Sequence, residues 1–149
     1  MAKTINATVK SREEQVVHGL WVRSTLNSSG TEWENLMKLY SKRSGDMGIR
    51  FVIRENTDEK RDCDLFCGGL TGGEDISDFT ILAGEYVSVT VTPKFGLFWG
   101  SAIEEAEVYL RDEWPKQSGR KLDDFHMEIR DRMGKKPSLE ILYRLLPEE

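Results

Sequence analysis

Aromatic and polar side chains alternate with aliphatic ones along three segments that are typical of β-strands. Successive side chains of a strand point to opposite faces, so each segment predicts one aliphatic face and one mixed face. The residues on the mixed faces are Trp21 and Arg23; Tyr86, Ser88 and Thr90; and His126, Glu128 and Arg130. A groove that binds a flat, partly polar molecule needs such a face. A solvated sheet face with scattered aromatics explains the alternation equally well.

The two cysteines, Cys63 and Cys67, are separated by three residues. Zinc knuckles and thioredoxin-like sites use two intervening residues, and no second cysteine pair or nearby histidine completes a four-ligand set. On one strand the two cysteines lie about 13 Å apart at roughly 3.3 Å per residue, too far for a disulfide. We predict two buried, reduced thiols with neither metal nor cofactor, and a redox or metal role is the alternative.

The strands belong to a β-α-β-β order that occurs twice. The first unit has predicted strands at 16–25, 49–54 and 64–70 and a helix at 31–43. The second has a β-rich run at 79–92 that is interrupted at 83–84, a helix at 101–114, and strands at 125–130 and 139–146. Each helix begins at a capping-box pattern, at Thr31 and at Ser101. This order predicts an α+β domain at 15–149 whose halves, 15–72 and 73–149, meet around a pseudo-twofold axis, after a polar N-terminal arm at 1–14.

The composition fits one globular domain. The chain has 149 residues, with 21 Lys and Arg against 26 Asp and Glu, which gives a formal net charge of −5. This balance argues against direct nucleic-acid binding, which needs a basic surface. No apolar run approaches the roughly 18 residues of a membrane-spanning helix. The first residues also lack the apolar stretch of a signal peptide, so we expect a cytoplasmic protein.

Five short segments carry a family resemblance. They are 19–23 (GLWVR), 81–87 (ILAGEYV), 113–119 (EWPKQSG), 125–129 (FHMEI) and 137–147. Each segment is weak evidence alone. Together, and in this order over 16–147, they are similar to the gyrase-inhibitor-like domains, which are also the effector-binding domains of bacterial transcription activators. The chain resembles a stand-alone, single-domain member of that family.

The resemblance implies a curved antiparallel sheet with a central groove that binds lipophilic, often cationic, small molecules. It implies that Glu128 is the groove glutamate and that Tyr86 is the aromatic residue at the start of the second half. Arg130 departs from the family pattern, because a tyrosine often stands at that position. If Arg130 reaches Glu128, it competes with a bound cation, which puts strong cation selectivity in doubt.

The predicted site follows from the resemblance and the alternation together. We expect Glu128 to lie away from the helix-covered face of the sheet, in a groove that Trp21 and Tyr86 line because the first strands of the two halves meet at the centre. Trp99 lies in a predicted loop next to the N-terminus of the second helix, with two phenylalanines nearby, and it is predicted to contact the ligand at the rim. A carboxylate and aromatic faces suit a delocalised cation. On this account Glu128→Gln weakens a cationic ligand and leaves the stability of the fold nearly unchanged.

Two other functions stay open at this point. A hydrolase could use Glu128 as a general base on a water molecule, with Tyr86 positioning the leaving group. A protein-interaction module of the gyrase-inhibitor type would instead bind a protein partner, and a homodimer is also open. Binding of a small aromatic or lipophilic molecule for sensing or sequestration remains the main prediction.

Overall fold

The computed structural model describes residues 5–25, 29–91, 99–131 and 138–147, which form eight strands and three α-helices. The strands are β1 (Thr8–Arg12), β2 (Gln15–Thr25), β3 (Arg50–Glu55), β4 (Asp62–Gly69), β5 (Ser77–Ile81), β6 (Gly84–Val91), β7 (Leu122–Asp131) and β8 (Ser138–Leu145). The helices are α1 (Ser29–Ser44), α2 (Trp99–Val108) and α3 (Trp114–Ser118), and a π-helical turn (Tyr109–Glu113) joins α2 to α3.

All eight strands form one antiparallel sheet in the order β1-β6-β8-β7-β3-β4-β2-β5. The units β2-α1-β3-β4 and β6-α2-β7-β8 extend in opposite directions from the central pair, β7 and β3. The order is therefore pseudo-symmetric, with β5 outside β2 and β1 outside β6. The predicted α+β fold of two β-α-β-β halves is confirmed. The expectation that the first strands meet at the centre is wrong, because β2 and β6 each lie next to an edge strand.

One face of the sheet, here called the helix face, is covered by the helices in two separate places. On one side α1 packs on β3 and β4, in a cluster of Trp33, Leu36, Met37, Val52, Leu65 and Cys67. On the other side α2, the π-helical turn and α3 pack on β6 and β8, in a cluster that includes Ala106, Leu110, Trp114, Val89 and Ile141. Strand β7 lies between these clusters, and its residues on the helix face are His126, Glu128 and Arg130. A polar strip therefore separates the two apolar clusters.

The opposite face, here called the inner face, curls around a core to which, in the described part of the chain, no helix contributes. Its buried residues come from seven strands and include Val17, Phe66, Ile81, Tyr86, Phe125, Met127 and Leu142. The rings of Phe79 in β5 and Phe125 in β7 stack with their centroids 6.2 Å apart. A flat sheet would separate these strands by about 19 Å, at roughly 4.8 Å for each of four steps. The sheet is therefore curled into a half-barrel.

Three local predictions need correction. The N-terminal arm contains strand β1, which pairs with β6. Helices α1 and α2 begin two residues before the predicted starts, so Thr31 and Ser101 lie inside the first turns. The second helical segment also continues past residue 114 to Ser118, because Pro115 falls in the first turn of α3, where its missing N–H is tolerated.

Candidate functional site

The polar strip on the helix face contains a buried carboxylate that two arginines hold. Arg54 in β3 donates from Nη1 to Oε1 of Glu128 at 3.3 Å. Arg130 donates from Nη2 and Nε to Oε2 of Glu128 at 2.6 and 3.0 Å. The Glu128 side chain is only 3% exposed. Burial raises the pKa of Glu128, but the charges of Arg130 and Arg54 outweigh burial, so the pKa lies below its usual value.

The guanidinium of Arg130 is also held by an aromatic ring. Its central carbon lies 4.1 Å from the ring centroid of Trp33, which α1 places on the helix face. Arg130 therefore contacts both a carboxylate and an aromatic face, the two groups that together bind cationic ligands. In this protein the cation at that position is one of its own side chains.

A cavity of about 350 Å³ opens beside this cluster, and Arg54 lines it. We call it the Arg54 cavity. Glu107 and Arg111 from the second helical segment also line it, as do His126 from β7 and Tyr143 from β8. The rings of His126 and Tyr143 stack with centroids 4.8 Å apart and planes inclined by 15°. The cavity thus combines aromatic and charged lining residues, at a volume typical of small-molecule sites.

Burial changes the protonation of two groups in this cavity. Desolvation, with a smaller contribution from the charge of Arg54, lowers the pKa of His126 to about 4, so the ring is neutral at physiological pH. Desolvation, followed by the negative charge of Glu128, raises the pKa of Glu107 above its usual value. The acid in α2 therefore takes up a proton more readily than an exposed glutamate.

Neither a protein-family model nor a curated protein sequence matches the chain. Solved structures do. An integron cassette protein from Vibrio cholerae has a TM-score of 0.66 and 14% identity, with 94% of this chain and 95% of that chain covered. The C-terminal domain of EcmrR has a TM-score of 0.67 and 16% identity over 98% of this chain and 100% of that one. SAV2435, solved bound to tetraphenylphosphonium, has a TM-score of 0.67 and 8% identity over 95% and 94%.

The chain has the fold of the effector-binding domains. This confirms the fold that the sequence resemblance implies. The same fold makes up only part of a longer regulator, because the match to EcmrR in its complex with DNA covers 97% of this chain and 58% of that one.

The effector-binding fold brings together only part of the predicted site. Glu128 and Arg130 are in contact, but Trp21 and Tyr86 lie on the inner face, on the other side of the sheet. The expectation that they share a groove with Glu128 is wrong. Alternation correctly separates Glu128 from Met127, but it cannot tell a face that packs on helices from one that packs on other strands. In β7 the aliphatic face is the inner one.

The structure tests the predicted ligand-binding role of Tyr86 but not that of Trp99. Tyr86 is fully buried, and its hydroxyl donates a hydrogen bond to the carbonyl oxygen of Leu82 at 2.6 Å. It therefore stabilises the turn between β5 and β6. Trp99 begins α2, but its side chain lies outside the described residues, so its contact with a ligand stays a prediction.

Sequence reasoning missed five residues of the site: Arg54, Trp33, Glu107, Arg111 and Tyr143. A signal was present for two of them. Arg54 shares its strand face with the apolar Val52, and Glu107 lies at helical spacing from the apolar Ile103 and Leu110. A charged residue on a face that is otherwise buried indicates either an ion pair or a site.

No metal or membrane feature is found in the described part of the chain. Its His, Cys, Asp and Glu residues form no group of three that could hold a metal ion. Cys63 and Cys67 are both buried and unbridged, on the helix face of β4. None of the helices in these ranges is long and apolar enough to cross a membrane.

Proposed function

We propose that this protein binds small organic molecules in the Arg54 cavity, on the helix face beside β7, and does not transform them. The observation that carries the proposal is the buried strip of Glu128, Arg54 and Arg130 beside a cavity with an aromatic wall. Burying three charged groups is costly, and an apolar strip of the same size would stabilise a fold at least as well. Perturbed titratable groups beside a cavity are typical of binding and catalytic sites.

The fold supports the same proposal. SAV2435, which has this fold, is solved with tetraphenylphosphonium bound. Of the two ligand classes that the sequence predicts, aromatic ligands suit the site, because the rings of His126 and Tyr143 contribute to the lining of the cavity. A cationic ligand anchored by Glu128 would first have to displace Arg130 from the carboxylate and from Trp33. We therefore place the ligand in the Arg54 cavity and give Glu128 the role of holding the arginines.

The geometry does not favour the hydrolase alternative. Glu128 and Tyr86 lie on opposite faces of the sheet, so they cannot act on one substrate. The pKa of Glu128 is lowered by two arginines despite its burial, whereas a general base works best with a pKa near neutrality. A role in transcription regulation stays a prediction, and so does a cytoplasmic location.

A pair of Leu→Trp variants tests the proposal. Leu122 lines the Arg54 cavity, and Leu122→Trp adds bulk that fills it. Leu82→Trp makes the same change at a side chain that is 55% exposed in the turn between β5 and β6. Isothermal titration with 2-naphthylmethanol and with 2-naphthoate should show one saturable site that Leu122→Trp abolishes and Leu82→Trp leaves intact. Circular dichroism verifies that both variants fold. Absence of saturable binding to the unmodified protein, or equal binding by the two variants, would refute the proposal.

A further inference from the structure

We infer that the Arg54 cavity selects aromatic ligands that carry an anionic group such as a carboxylate, with the anion placed against Arg54 and Arg111. The inference rests on the proposed function and adds the ligand's charge. It departs from the prediction of a cationic ligand. It depends on which charges around the cavity already have partners.

The acidic residues of the Arg54 cavity are largely engaged elsewhere. Asp123 accepts a hydrogen bond from Nε of Arg144 at 2.9 Å. Asp124 accepts one from the backbone N–H of Thr57 at 2.8 Å. The third carboxylate is Glu107, whose burial favours its protonated form. A ligand cation would therefore find few acceptors with capacity to spare.

Two basic residues of the cavity, Arg61 and Arg111, are more available to a ligand. Three arginines line the cavity: Arg54, Arg61 and Arg111. Arg61 and Arg111 form no salt bridge with another residue of the described ranges. Arg54 contacts Glu128 at 3.3 Å, while Arg130 makes two shorter bonds to the same carboxylate. The bonds from Arg130 keep Glu128 partnered if Arg54 turns part of its donor set toward a ligand.

The chemistry of arginine points to a planar anion. The Arg54 side chain is only 8% exposed, so its charge is poorly screened by water. Its planar guanidinium donates in a fork that matches a carboxylate or phosphate. The neutral, stacked His126 ring beside it suits the aromatic part of the same ligand. One molecule with a flat ring and an acidic group satisfies both features.

The cluster around Glu128 is a second, separate reason why a cationic ligand binds poorly here. Arg54, Arg130 and Glu128 together carry a net charge of one positive unit. The carboxylate and aromatic face that would bind a ligand cation are occupied by Arg130. Like charges in a poorly hydrated site repel strongly, so an ammonium or phosphonium ligand is disfavoured here.

Three probes with one scaffold test the inference: 2-naphthoate, 2-naphthylmethanol and 2-naphthylmethylammonium. Isothermal titration at about 50 mM salt keeps the electrostatic part of binding visible. We expect 2-naphthoate to bind about tenfold or more tighter than the ammonium, with the neutral alcohol between them. The affinity for 2-naphthoate should fall as salt rises, and that for the alcohol should not.

Two charge-matched variants assign the effect to the cavity. Arg111→Gln removes a cavity cation, and Lys116→Gln makes the same change in charge at an exposed position of α3 outside the cavity. Arg111→Gln should weaken 2-naphthoate by about three- to tenfold and leave the alcohol unchanged, while Lys116→Gln should alter neither.

The outcomes separate this inference from the proposed function. Equal affinity for the three probes, or tightest binding of the ammonium, would overturn the anion preference and leave small-molecule binding standing. Equal weakening by Arg111→Gln and Lys116→Gln would also overturn the assignment to the cavity. No saturable binding of any probe would overturn both the inference and the proposed function.

Discussion

Replacing Glu128 with glutamine removes the carboxylate that holds two buried arginines. Arg54 and Arg130 are 8% and 14% exposed in their side chains, and neither can release its proton in place of the lost partner. Removing one member of a buried ion pair costs about 3–5 kcal/mol, because it leaves an uncompensated buried charge. Glutamine retains one oxygen acceptor, so we expect a loss of about 3 kcal/mol in the free energy of unfolding.

This predicted loss of stability differs from the expectation based on sequence alone. If Glu128 were a lone, poorly solvated carboxylate, Glu128→Gln would remove an unfavourable buried charge, and the free energy of unfolding would change little. Arg54 reverses the argument, because the carboxylate neutralises two cations from different strands. Arg130→Gln should cost less than Glu128→Gln, since the Arg54–Glu128 pair that it leaves behind is neutral.

Urea denaturation followed by circular dichroism measures these differences. The control is Glu85→Gln, which removes a carboxylate that is 50% exposed and contacts Arg120 at 3.0 Å, and which should cost less than about 1 kcal/mol because water solvates that carboxylate. The pKa of Glu128 is lowered in the fold, so its stabilising effect is present above the unfolded pKa and is lost as pH falls through the folded value. The difference between the unmodified protein and Glu128→Gln should therefore shrink below about pH 4. A loss no larger than that of Glu85→Gln at pH 7 would refute the reasoning.

Three further predictions follow. Cys63 and Cys67 should resist a thiol reagent in the native protein and react on unfolding, because both are buried and burial raises the pKa of Cys67 to about 12. Gly68→Ala should destabilise the protein by more than about 2 kcal/mol in urea denaturation, because a Cβ there overlaps a backbone carbonyl of β2, whereas Gly100→Ala in α2 meets no atom and should not. The affinity for 2-naphthoate should rise as pH falls from neutrality, because burial raises the pKa of Glu107 and this carboxylate then gains a proton, and titration of Glu107→Gln should show a smaller rise.

The fold was largely predictable because its local patterns agree with one another. Helical spacing around Trp33 and Leu110, and alternation along β6, predict elements that tertiary packing then confirms. The π-helical turn and strand β1 were not predictable. The π-helical turn has no residue pattern that distinguishes it from the α-helices on either side, and β1 is a polar edge strand whose pairing with β6 leaves no pattern in its own residues.

The site was predictable only in part, for a geometric reason. Strand parity separates Glu128 from Met127, but assigning a face to helices requires the sheet order. Once β7 is known to lie between the strands that α1 and α2 cover, its polar residues must fall in the gap between two apolar clusters. Arg54 reaches the same gap because β3 pairs with β7. That contact joins residues 74 positions apart, which no local pattern reveals.

The most direct test of small-molecule binding in the Arg54 cavity is to determine where a bound probe lies. Nuclear Overhauser effects between the tightest-binding naphthalene probe and the protein's aromatic protons report this location. The ring protons of the probe should show contacts to His126 and Tyr143 on the helix face. Contacts instead to Trp21 and Phe79, which belong to the inner face, would contradict the placement of the site.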